Sequence, residues 1–220
     1  MNGLTPRLEI LPPSQRRLWP ELQALPDWFV LYGGTSLALR LAHRESVDFD
    51  FFTHRAFVPA DLLRALAFLE GAEIRQGQPN TLTVSVDRDG PVFLSFFGGL
   101  DAGRVVEPDR ATGHGLRIAS LLDVGAMKAA VIQERAEKKD YLDIAAILDA
   151  GISLEEMLGA ARAVFGPAFN PAVTLKALCW FEDGDVKELD EAMKQLLATA
   201  AEQVTDIPRI ARCAEELGAI

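Results

Sequence analysis

Two carboxylates one residue apart, Asp48 and Asp50, have the spacing in this sequence that most directly implies chemistry. Alternate side chains of an extended strand share a face, so Asp48 and Asp50 are expected to project together, with Val47, Phe49 and Phe51 on the other face. Neighbouring carboxylates repel unless a cation or a proton lies between them. Hard cations such as Mg²⁺ take oxygen ligands and share them with substrate phosphates. The ordinary alternative is a pair of surface residues, but Asp is depleted in strands that lack a specific reason for it. Upstream, Gly33 and Gly34 follow the run Trp28 to Tyr32 and precede the helix-like segment TSLALRLA. A turn without side chains admits a ligand closely and can offer N–H groups to a phosphate, and it can equally be purely structural. Thr35 and Ser36 stand where a hydroxyl either caps a helix or reaches a phosphate oxygen. His43, Arg44 and Ser46 occupy the loop entering the Asp48 strand.

A second set of charges lies downstream. Lys128 falls among Leu121, Leu122, Val124, Met127, Val131 and Ile132, so its stem can snorkel from an apolar helix face. Arg135 follows two turns later and is placed to pair with it or assist it. Asp140 and Asp143 have the spacing of an N-cap and an N3 residue. A continuous helix would separate Lys128 from Asp140 by about 18 Å, at ~1.5 Å per residue. Both can serve one nucleotide only if the chain breaks near residues 136–139, and such a break is expected.

These residues carry a family resemblance. A hydrophobic residue, Gly-Gly, thirteen intervening residues and Asp-hydrophobic-Asp resemble the defining motif of the nucleotidyltransferase (polymerase beta-like) superfamily. More narrowly, GGTSLALRLAHRESVDFDFF resembles the AbiEii/AbiGii-type toxin family. The block MKAAVIQERAEKKDYLDIAAIL matches that family's Lys, Arg and basic-Asp-x-x-Asp signature, and the resemblance spans roughly residues 25 to 150. It implies an α+β fold, a nucleotidyltransferase-like mixed β-sheet with flanking helices and a helical C-terminal part. It also implies a metal-dependent enzyme that transfers a nucleoside monophosphate from an NTP to an acceptor hydroxyl, tRNA being one acceptor class. The resembled toxins belong to type IV-like toxin–antitoxin or abortive-infection systems, which implies a cognate antitoxin. By the same resemblance Asp48 and Asp50 hold Mg²⁺, and Asp48, Asp50, Lys128 and Asp140 are catalytic. Gly33, Gly34, Thr35, Ser36, Arg44, Lys128 and Arg135 then contact the nucleotide. One departure stands out: superfamily members often supply a third carboxylate from a neighbouring strand, and the corresponding run Val92 to Phe97 offers only Ser95. A two-carboxylate metal site is one reading of it. A degenerate module that binds nucleotide or a protein without turnover is the alternative.

The elements that must position these groups follow from pattern. The chain has 220 residues, of which 49% are hydrophobic, enough for one sizeable core or a main domain plus a helical appendage. We expect a nucleotidyltransferase core over residues 1–119 and a helical domain over 120–220 that completes the nucleotide site. A short helix is expected from Gln15 to Leu25, broken at Pro20, and another over Phe57 to Leu69. Thr81 to Val86 and Val92 to Phe97 read as a hairpin, with a further strand near Arg104 to Glu107 or Leu116 to Ile118. Ser120 with Asp123, and Ser153 with Glu156, have capping-box spacing, and helices are expected at Asp185 to Thr199 and Ile207 to Leu217.

A net charge of −10 argues against broad nonspecific binding to nucleic acid, while leaving room for a local basic groove around Arg40, Arg44, Arg55, Lys128, Arg135, Lys138 and Lys139. No apolar run is long enough to span a membrane and no signal peptide is evident, so a cytoplasmic protein is expected. Cys179 and Cys213 read as reduced core thiols.

Overall fold

The computed structural model describes residues 3–219, which divide into two units. The first comprises 3–102, 107–119 and 214–219, and the second comprises 103–106 and 120–213. This division differs from a single cut after residue 119 in two places. The short segment 103–106 joins the second unit, and the C-terminal residues return to the first.

The first unit carries, in chain order, β1 (Gly3–Leu4), α1 (Pro13–Leu18), β2 (Val30–Tyr32), α2 (Gly33–Leu41), β3 (Asp48–Phe52), α3 (Pro59–Ala65), β4 (Glu73–Gln78), β5 (Thr81–Asp87), β6 (Pro91–Phe97), β7 (Asp109–Ala111) and β8 (Arg117–Ile118). α1 ends at Leu18 and the chain continues through Trp19-Pro20 as a 3-10 turn, because Pro20 has no N–H to donate to the carbonyl four residues back. The eight strands form one mixed sheet in the order β1-β7-β8-β2-β3-β6-β5-β4. β5 and β6 are the expected hairpin. The further strand falls at Arg117–Ile118 and pairs with β7, whereas residues 104–107 form no strand of this sheet.

β3 runs antiparallel to β2 and parallel to β6, which puts Asp50 between Tyr32 and Ser95. The odd-numbered residues of β3 and their partners on the opposite face make the core. Phe49, Phe51, Leu82, Val84, Leu94 and Phe96 are buried, and the Phe51 and Phe96 rings stack at 5.3 Å between centroids. Burying an aromatic of this kind is worth about 1.5–3 kcal/mol. Period-2 alternation therefore fixes the register and forces Asp48 and Asp50 to the other face. Val47 departs from expectation: it lies outside β3 and is 57% exposed rather than joining the phenylalanine face.

The second unit is helical: α4 (Leu121–Val131), α5 (Lys138–Asp149), α6 (Leu154–Phe165), α7 (Pro171–Ala177) and α8 (Glu191–Glu202). Ser153 and Glu156 make the full reciprocal capping box on α6. At α4 only half of the box forms. The Ser120 hydroxyl accepts from the Asp123 N–H, but the Asp123 carboxylate receives the N–H groups of Val105 and Val106 instead. Burial pushes the Asp123 carboxyl up despite these donors and the nearby Arg104.

Two expectations fail here. Residues 207–217 form no helix. Pro208 disfavours helical geometry at Ile207, and the 208–213 strand of chain is instead laid along α6. The Arg212 guanidinium donates to the Ala163 carbonyl at 2.6 Å and to the Val164 carbonyl at 3.2 Å, and the Cys213 N–H donates to Arg104 at 2.9 Å. The cysteines are not core thiols either. Cys179 follows α7, Cys213 lies on the irregular segment, and both are exposed. Among the described residues no helix is long and apolar enough to cross a membrane.

Candidate active site

In the first unit the Gly-Gly turn meets the carboxylate strand directly. Gly33 has φ +71°, in the left-handed region that favours glycine, and a Cβ added there would stand 2.5 Å from Asp50 Oδ2. A Cβ on Gly34 would stand 2.6 Å from Arg44 Nη2 and 2.9 Å from Ser46 Oγ. Gly33 is therefore required by its backbone as well as by the carboxylate beside it, whereas at Gly34 the nearest atoms are the movable ends of Arg44 and Ser46. Ser46 approaches the turn through the fold of the 42–47 loop, which no local pattern reveals. Asp48 is exposed and Asp50 half-buried, so the pair keeps access to solvent.

Thr35 and Ser36 come to this turn with their hydroxyls already engaged. Both are fully buried. Thr35 donates to the Asp48 carbonyl, tying α2 to β3, and Ser36 donates to the Gly33 carbonyl at 2.7 Å. Neither caps α2, whose N-cap is Tyr32 without a side-chain bond. At the far end of α2, Arg40 bonds the carbonyls of Ile118 and Ala119 and pairs with Asp109 at 2.8 Å.

In the second unit the chain breaks where one nucleotide site would require it. α4 ends at Val131 and α5 begins at Lys138. The reversal brings Lys128 Nζ to 2.7 Å from Asp140 Oδ1 and 2.6 Å from Asp143 Oδ2, while Arg135 Nε reaches Asp140 Oδ2 at 2.8 Å. Lys128 is 7% exposed and both aspartates 0%, so this is a buried ionic cluster. Burial alone would raise the Asp140 carboxyl, but the Lys128 ammonium and the Arg135 guanidinium outweigh it and hold its pKa below the usual aspartate value. The helix-cap reading of Asp140 and Asp143 does not hold: Glu137 is the N-cap, and Asp140 lies inside α5. Lys128 does not snorkel to solvent.

The donor set at Asp48 and Asp50 is all oxygen, which suits a hard cation. Ser95 takes the register position beside Asp50, and its hydroxyl lies 3.3 Å from that of Thr83. Among the described residues no group of three or more His, Cys, Asp or Glu is arranged to hold a metal. Two carboxylates fit Mg²⁺ that keeps several waters and is shared with substrate phosphates, and do not make an all-protein cage.

A mixed sheet with flanking helices and a Gly-Gly turn against an Asp-x-Asp strand has the fold of a nucleotidyltransferase toxin. The chain belongs to the family described as nucleotidyl transferase AbiEii toxin, type IV toxin–antitoxin system, whose model matches residues 17–216. It is 29% identical over 158 residues to the uncharacterised protein aq_aa25 of Aquifex aeolicus (strain VF5), covering 70% of this chain and 74% of that protein. Its fold is similar to that of MenT4, a nucleotidyltransferase toxin from Mycobacterium tuberculosis H37Rv. The TM-score is 0.60 at 15% identity, over 87% of this chain and 82% of that one.

Proposed function

We propose that this nucleotidyltransferase transfers a nucleoside monophosphate from an NTP to the terminal hydroxyl of an RNA acceptor, tRNA being the favoured class, and does so with Mg²⁺. The acceptor oxygen bonds to the α-phosphorus as the bond to the leaving pyrophosphate breaks. The observation that carries the reading is the close approach of the Asp50 carboxylate to the Gly33 position, where a Cβ would stand 2.5 Å from Oδ2, at a turn that Arg44 and Ser46 approach from the 42–47 loop.

Asp48 and Asp50 are the residues that would hold Mg²⁺, which when bound neutralises phosphate charge. The Gly33-Gly34 backbone and the Arg44 guanidinium bind phosphate. Thr35 and Ser36 act as positioning residues through the bonds they make to Asp48 and Gly33. Within the second unit Arg135, whose side chain is 44% exposed, would bind a phosphate, and Lys128 is held in place behind it by Asp140 and Asp143. Asp140, fully buried and paired with both cations, positions Arg135. A cognate antitoxin restrains the enzyme in its cytoplasmic host.

One observation favours a second reading. Ser95 stands where superfamily members often carry a third carboxylate, which suits a module that binds NTP without turning it over. Incubation with each α-³²P-labelled NTP, Mg²⁺ and total cellular RNA separates the two. Label in the tRNA band, lost in Asp48→Ala/Asp50→Ala, supports transfer. Metal-dependent NTP binding with no label in any RNA supports the degenerate module.

A further inference from the structure

A cleft of about 260 Å³ in the second unit, outside the carboxylate turn, has the chemistry of a nucleobase site. Its rim residue Trp180 is 53% exposed, yet its ring is not loose: Nε1–H donates to Asp183 Oδ2 at 3.0 Å. With its one donor committed, the indole offers a stacking face. Tyr141 also lines the cleft; its hydroxyl donates to the Ala177 carbonyl at 3.4 Å and its ring meets Phe181 edge-on. Arg135 lines the same cleft. Its guanidinium is anchored to the buried Asp140 through Nε and Nη2 and pairs with Glu137 through Nη1 at 3.4 Å, while its side chain remains 44% exposed, so a planar cation is presented in a fixed pose. Lys176 adds an ammonium, and Glu134 and Asp183 add carboxylate acceptors for exocyclic amino groups.

We propose that this cleft binds a nucleobase stacked on Trp180, with the adjoining phosphate against Arg135 and Lys176. The volume lies just under the about 300–1,000 Å³ of sites for drug-sized ligands, so it suits a base and ribose rather than a whole triphosphate. Single-stranded nucleic acid is held by stacking on aromatic side chains together with cations that track its backbone, and here Trp180 supplies the first and Arg135 and Lys176 the second. The base belongs either to the end of an RNA acceptor or to the NTP, and the first assignment rests on the transfer reading above.

The test is fluorescence anisotropy of a labelled tetraribonucleotide in EDTA, where no transfer is needed, with unlabelled tetraribonucleotide or each NTP as competitor. Trp180→Ala should weaken tetraribonucleotide binding about 5- to 150-fold, the range for losing one stacked base. Trp180→Phe should restore most of it, and Lys176→Ala should lower the salt slope by about 0.7. Competition by the oligonucleotide alone assigns the site to the acceptor, and full competition by NTP assigns it to the nucleotide substrate. Binding in Trp180→Ala equal to wild type for both ligands overturns the proposal. If RNA is never labelled but Trp180-dependent binding persists, the transfer reading fails and the cleft stands. If transfer occurs and Trp180→Ala leaves the KM of both substrates unchanged, the cleft fails alone.

Discussion

Replacing Lys128 by Met keeps most of the side chain's volume and removes only the ammonium that touches both Asp140 and Asp143. The two carboxylates are fully buried, at 2.7 and 2.6 Å from that nitrogen. Removing one partner of a buried ion pair costs about 3–5 kcal/mol, because the other partner is left charged and desolvated. For a chain of this size that is about 6–20 °C in Tm, at 2–4 °C per kcal/mol. Adding Asp143→Asn to Lys128→Met restores the charge balance, since Arg135 still holds Asp140 at 2.8 Å. The double variant should therefore be more stable than Lys128→Met alone, with a coupling of about 2 kcal/mol in a double-mutant cycle followed by urea unfolding and circular dichroism. A Lys128→Met protein within about 0.5 kcal/mol of wild type, the range of ordinary surface changes, would refute the reasoning. So would a double variant whose loss is the sum of the single losses.

Gly33→Ala should cost about 1–2 kcal/mol in left-handed backbone strain and, by pressing on Asp50 Oδ2, should reduce turnover more than it reduces stability in paired kinetic and thermal measurements. Asp140 has a folded pKa below its unfolded value of about 3.9, so its stabilising contribution is full above that value and is lost as pH falls through the folded pKa. Asp140→Asn should accordingly flatten the acid limb of the stability curve below about pH 4, read as urea midpoints between pH 2 and 6. Ser153→Ala removes one half of the capping box on α6 and should cost about 1 kcal/mol while leaving nucleotidyl transfer unchanged.

What the sequence makes legible is what local period and special residues control. The alternation around Asp48 and Asp50 gives the strand and its faces, because burying Phe49 and Phe51 allows one register. The hairpin and the Ser153 box are visible for the same reason: each is complete within a few residues. β4 escapes notice because every residue of EIRQGQ is exposed at the sheet edge, so no apolar alternation marks it. In the cluster of Lys128, Arg135, Asp140 and Asp143 the chain break is legible but the burial and the pairing of Lys128 with both aspartates are not. Asp140 placed beside two lysines looks locally like a helix cap, whereas α5 starts two residues earlier. The 207–217 segment has helical composition, but its backbone groups find partners at Arg104 and its Arg212 finds the end of α6, contacts that only the tertiary structure supplies.

The most direct test of the central claim is a paired reaction with α-³²P-labelled and γ-³²P-labelled NTP, Mg²⁺ and RNA, comparing wild type with Asp48→Asn/Asp50→Asn. The account requires α-label on the RNA, γ-label only in released pyrophosphate, and neither product from the variant. Transfer of γ-label, or α-labelling that survives loss of both carboxylates, would contradict it.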